Sequence, residues 1–121
     1  MGTDIHIWVE IKERNGWELR LDPDQSYGVR DYGVFGILAG VRDDGPPIAL
    51  PRGIPRDSFL ALNDIEGDYH SWSWLKLSEI LQHDDWPLRG SEKFLEWCRG
   101  LLTLPFYNDA ERIRLVFGFD S

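Results

Sequence analysis

A chain of 121 residues carrying 21 acidic and 13 basic side chains has the size of one domain and, at a net charge of −8, repels a phosphate backbone. Duplex nucleic acid is therefore not an expected partner. Hydrophobic residues at 42% and aromatics at 13% exclude a disordered segment, and a lone cysteine excludes an intrachain disulfide.

That cysteine, Cys98, lies between Trp97 and Arg99 and reads as a small buried hydrophobe suited to a reducing compartment. No stretch approaches the ~20 apolar residues of a membrane span, and no basic-then-apolar leader opens the chain. These features point to the cytoplasm and away from a membrane. Gly2 follows Met1, but His6 stands where N-myristoylation needs Ser or Thr.

From Thr3 to Arg14 the residues alternate, with Ile5, Ile7, Val9 and Ile11 on one face and Asp4, His6, Trp8 and Glu10 on the other. This predicts a half-buried strand. Asn15-Gly16 predicts a type I′ hairpin turn, after which Trp17, Leu19 and Leu21 resume the alternation as far as Pro23. Between Tyr27 and Arg42, Asp31 is a candidate N-cap for a short helix bearing Phe35, Leu38 and Ala39. Gly33, Gly36 and Gly40 each cost about 1 kcal/mol in a helix interior and imply close packing or an irregular backbone.

Residues 43–57 hold Pro46, Pro47, Pro51 and Pro55 and predict a stiff loop, of a length more typical of binding elements than of connectors. Ser58 to Asn63 predicts one helical turn, and Asp64 to Ser71 a polar loop. Helical spacing returns in Leu75 to His83 and in Ser91 to Leu102, where Ser91 is the expected cap and Pro105 the stop. His83 reads as a cation favoured at its helix C-terminus. Arg112 to Asp120 alternates again, with Ile113, Leu115, Phe117 and Phe119 on one face. The expected fold is a single α+β domain over residues 1–121. Its small three-stranded antiparallel sheet, the N-terminal hairpin plus the C-terminal strand, packs on helices.

One pattern with chemical potential occurs twice, as Asp4-Ile5-His6 and as Asp68-Tyr69-His70-Ser71. If the His70 loop folds over the first strand, Asp4, His6, Asp68 and His70 make a first shell for a divalent metal such as Zn or Mn. A metal-dependent hydrolase, in particular a phosphoesterase, would follow. His70 oriented by Asp68 is also a candidate acid or base, with Ser71 or Ser73 as hydroxyl donor or nucleophile. Neither copy matches the His-x-Thr/Ser pair of two-histidine phosphodiesterases. Ser71 or Ser73 capping the following helix is the plainer alternative. Arg30, Arg42, Arg52 and Arg56, with Tyr27 and Tyr32, are candidates to line an anion pocket, and Trp72 and Trp74 to stack on a base. Pairing of these arginines with surface carboxylates is the competing reading.

The opening MGTDIH, the central RDYGVFGILAGVR, RGIPRD, DYHSWSWLKLSEIL and the closing RLVFGFD together resemble a family of small uncharacterised proteins of phages and bacteria. The resemblance implies a setting in the host cytoplasm and no catalytic residues. In that setting the leading expectation is a phage-type accessory protein that binds a small anionic, nucleotide-like ligand and counters host defence signalling. Its cleft would lie among the first strand, the Pro-rich loop and the His70 loop. Asp4 and Asp68 would orient His6 and His70, Arg42, Arg52 and Arg56 would meet phosphate, and Ser71 and Ser73 would donate hydroxyls. The alternatives are the metal-dependent hydrolase and an acidic inhibitor of a host protein.

Overall fold

The alternating isoleucines of the N-terminal segment form β1 (Asp4–Glu13), and the hairpin returns as β2 (Gly16–Leu21). The computed structural model describes residues 2–43, 45–63, 67–87, 91–104 and 108–120. Pro105, the expected helix stop, and residues 64–66 of the polar stretch lie outside them. The hairpin turn differs from the expected type I′: Glu13 pairs with Gly16, and of the turn residues only Gly16 has positive φ, +118°. Asn15 is therefore a turn residue without the left-handed conformation that type I′ requires.

The chain continues through α1 (Tyr32–Ala39), α2 (Phe59–Leu62), β3 (His70–Lys76), α3 (Leu77–Gln82), α4 (Glu92–Leu101) and β4 (Ile113–Asp120). All sheet pairings are antiparallel, in the order β2-β1-β4-β3. The sheet thus has four strands where three were expected. The added strand, His70 to Lys76, covers the end of the predicted polar loop and the start of the predicted Leu75 helix, which shortens to α3.

Ile5, Ile7 and Ile11 lie opposite Phe119, Phe117 and Ile113 and form the main core with Phe35, Leu38, Ile80 and Phe94 of the helices. Burial of each such side chain contributes about 1.5–3 kcal/mol. Asp31 caps α1 by accepting from the Val34 N–H at 3.2 Å. A Cβ on Gly36 would stand 2.4 Å from the Asp43 Cβ, so this helical glycine serves the close packing its position implied. Ser91 occupies the N-cap position of α4, but its hydroxyl donates to the Pro87 carbonyl and leaves the first turn without a side-chain cap.

The other sheet face is not simply solvated. Trp8 and Val116 are buried there with Leu60 of α2, and Leu19, Ile54, Tyr69, Trp72 and Trp74 pack around them. The Pro-rich loop and α2 therefore cover this face as the helices cover the first. Glu10 is fully buried beneath them: one carboxylate oxygen accepts from the Ser58 hydroxyl and the Phe59 N–H, both at 2.8 Å, and the other from Arg114 Nε at 2.8 Å. Arg114 in turn reaches Asp57 at 3.0 Å and lies over the Trp17 ring at 4.2 Å.

Candidate functional site

Antiparallel pairing of β1 with β4 sets Asp4 opposite Asp120 and His6 opposite Gly118, so the first and last strand residues share one end of the sheet. There the His6 Nε2 meets the Asp120 Oδ2 at 2.6 Å, and the other Asp120 oxygen accepts the Asp4 N–H at 3.3 Å. The Tyr69 ring stacks on the imidazole with centroids 4.4 Å apart. It is Asp120, not Asp4, that orients His6. Asp4 is held by Arg30 through two N–H groups, at 2.6 and 3.3 Å, and this guanidinium keeps the Asp4 carboxyl below its ordinary range. Next to them Arg42 donates from Nε to the Thr3 hydroxyl at 2.8 Å and lies over the Tyr32 ring.

The two Asp-x-His motifs do not form one set. His70 is opposite Phe119, one residue along β4 from the partner of His6, and neighbouring positions on a strand face opposite sides of the sheet. Consistently, the His70 ring lies near Phe119 on the core side, while His6 lies on the face of Trp8 and Trp72. The second motif reaches His6 only through its middle residue, Tyr69. Asp68 is exposed. Among the described residues no group of three or more His, Cys, Asp or Glu side chains is placed to hold a metal ion. The expected four-ligand shell of Asp4, His6, Asp68 and His70 is therefore not assembled.

A bulge between His70 and Ser73 explains the local geometry. Ser71 takes φ +55°, its hydroxyl lies 2.9 Å from His70 Nδ1, and the irregularity turns the Trp72 ring onto Gly118. A Cβ on Gly118 would meet that ring at 2.9 Å. Ser73 is buried and accepts the Arg52 N–H at 3.0 Å, so it anchors the Pro-rich loop to the edge strand. The Arg52 side chain forms two bonds to Glu79, at 2.9 and 2.6 Å, and stacks on Trp74. Arg56 is exposed. Arg42, Arg52 and Arg56 thus do not converge. Burial pushes the Cys98 thiol up, in keeping with a packing role.

A cleft of about 450 Å³ opens beside the Asp4–Arg30 pair and is lined by Tyr27, Arg30, Asp31, Tyr32, Glu92 and Lys93. It receives the first residues of both α1 and α4, whose N-terminal ends carry partial positive charge. The Tyr27 ring packs edge-on against Phe94, and its hydroxyl is buried with no hydrogen-bond partner among the described residues. Burial, reinforced by Asp31, pushes this phenol above its ordinary range, so it remains a donor. Of the carboxylates in the cleft, Asp31 is engaged in capping α1, and Glu92 occupies the first turn of α4.

A second cleft, of about 320 Å³, lies around Arg52, Trp74 and Glu79, where Arg52 pairs with Glu79 as Arg30 pairs with Asp4. Of the residues the sequence offered for an anion pocket, Tyr27, Arg30 and Tyr32 line the first cleft and Arg42, Arg52 and Arg56 do not; Glu92 and Lys93 of that cleft, and Asp120 beside His6, were not foreseen. Comparison with known proteins returns no match among protein-family models, curated proteins or solved structures.

Proposed function

We propose that the protein binds a small anionic, nucleotide-like ligand in the cleft between the N-termini of α1 and α4. The observation that carries this reading is a cleft that gathers Arg30, Lys93 and the first turn of α4, which takes no side-chain cap from Ser91. Backbone N–H groups at a helix start, with an arginine and a lysine beside them, suit phosphate or carboxylate oxygens. Glu92 suits a hydroxyl on the same ligand, as a sugar would supply, so the mixed lining favours a nucleotide-like molecule over a bare anion. Arg30 takes the role expected of Arg42, Arg52 and Arg56. In a phage setting, such capture would withdraw a host signalling molecule.

Thermal shift and calorimetry with inorganic phosphate, nucleoside monophosphates and cyclic nucleotides test the proposal. A saturable rise in melting temperature is expected. Lys93→Ala should weaken binding about tenfold, in line with loss of one hydrogen bond to a charged group. No response to any of these anions would contradict it.

A further inference from the structure

Asn15-Gly16 is the one Asn-Gly step in the chain, and it lies at the tip of the β1–β2 hairpin, away from the residues that line the anion cleft. Asn15 is exposed, and its side-chain amide makes no hydrogen bond among the described residues. Gly16 has φ +118°, and a Cβ built on it would meet nothing within 4 Å, so no other part of the chain crowds the step. The Glu13–Gly16 pair that follows is the last of its ladder, where backbone bonds fray first. The two other asparagines are placed differently. Asn63 and Asn108 are each followed by aspartate, whose side chain crowds the main-chain nitrogen and whose charge disfavours an anion there. The Asn63 amide also donates to the Phe59 carbonyl at 2.8 Å.

We propose that Asn15 is a site of spontaneous deamidation, which turns the hairpin tip from a neutral amide into an aspartyl or isoaspartyl carboxylate as the protein ages. Water or hydroxide takes the proton from the Gly16 main-chain nitrogen, which no side chain of its own shields, and that nitrogen forms a bond to Asn15 Cγ. The bond from Cγ to the amide nitrogen breaks, and the amide nitrogen leaves as ammonia with a proton from water. Water then opens the resulting cyclic imide at either carbonyl. One opening gives aspartate, and the other gives isoaspartate, in which the main chain runs through the former side-chain carbon. The sum is amide plus water going to carboxylate plus ammonium, with no change in oxidation state. Either product adds a negative charge to the net of −8. That charge falls in a shallow cleft lined by Glu13, Arg14, Glu18 and Arg20. Arg20 already holds Glu13 at 2.9 Å and Glu18 at 3.2 Å, whereas Arg14 pairs with no carboxylate among the described residues and is the cation available to it. Isoaspartate also lengthens the main chain of the turn, which disturbs the Glu13–Gly16 closing pair.

The test holds the folded full-length chain for weeks at neutral and at mildly alkaline pH, beside a sample unfolded in urea and the Asn15→Gln variant, and follows each by peptide mapping with mass spectrometry. In the folded chain the hairpin peptide should gain the mass of an amide-to-acid change and split into two products, aspartyl and isoaspartyl. Conversion should run faster at the alkaline pH, because the attacking nitrogen must lose its proton. The Asn63 and Asn108 peptides should keep their amides, and Asn15→Gln should leave the hairpin peptide unchanged. An Asn15 amide that converts in urea but persists in the folded chain would overturn the proposal, since the hairpin would then protect the step. Conversion at equal rates at all three asparagines would also overturn it, as would a product that contains aspartate alone.

Discussion

Glu10 and Arg114 show how a charge survives inside this protein. With side-chain exposures of 0% and 4%, they are held by each other, by Ser58 and Phe59, and by Asp57. Removing one member leaves the other charged, buried and unpaired. Arg114→Ala should therefore cost about 3–5 kcal/mol in denaturant unfolding, and the paired change Glu10→Leu/Arg114→Met less than that. A cost below about 1 kcal/mol for Arg114→Ala would mean that the pair is not buried as described. The alternation of β1 placed Glu10 on the polar face, but nothing in its spacing marked it as buried, because burial depends on a loop some fifty residues away. The same distance hid Asp120. Only the β1–β4 register brings the last strand residue to His6, so a local motif search paired His6 with Asp4.

At the scale of elements, the segments with a simple period were legible. The N-terminal hairpin, α1 with its Asp31 cap, α4 and β4 all appear where the isoleucines, leucines and phenylalanines recur. β3 was not legible. Its bulge breaks the alternation, Ser71 and Ser73 mimic a polar loop or a cap, and the tryptophans that pack on the second face looked like ligand contacts. The Pro-rich loop is fastened to this strand and to α3 largely by Arg52. Its guanidinium holds the Glu79 carboxyl below the usual range, burial opposes that shift, and the Lys76 N–H adds to it. A carboxyl depressed in the folded state stabilises above its unfolded pKa, and that stability is lost as pH falls through the folded value. Glu79→Gln should therefore lower the melting temperature near neutral pH, with the difference from wild type shrinking as pH falls below the ordinary glutamate range. A difference that persists unchanged into acid would contradict the assignment.

For the whole molecule, two covered faces leave the proposed anion cleft at one end of the sheet, where Asp4 meets Arg30 just before α1. The α+β class and, among the described residues, the absence of a helix able to cross a membrane were readable from composition and local pattern. The fourth strand, the face that separates His6 from His70, and the arrival of Lys93 beside Arg30 depend on topology, which short-range spacing does not encode. The central claim is that an anion binds where the two helices begin. It is tested most directly by titrating the ¹⁵N-labelled protein with inorganic phosphate and then with a nucleoside monophosphate while following backbone amide shifts. The account predicts saturable shifts concentrated at Tyr32, Gly33, Glu92, Lys93 and Phe94. Shifts confined to the Arg52–Glu79 cleft, or none at all, would contradict it.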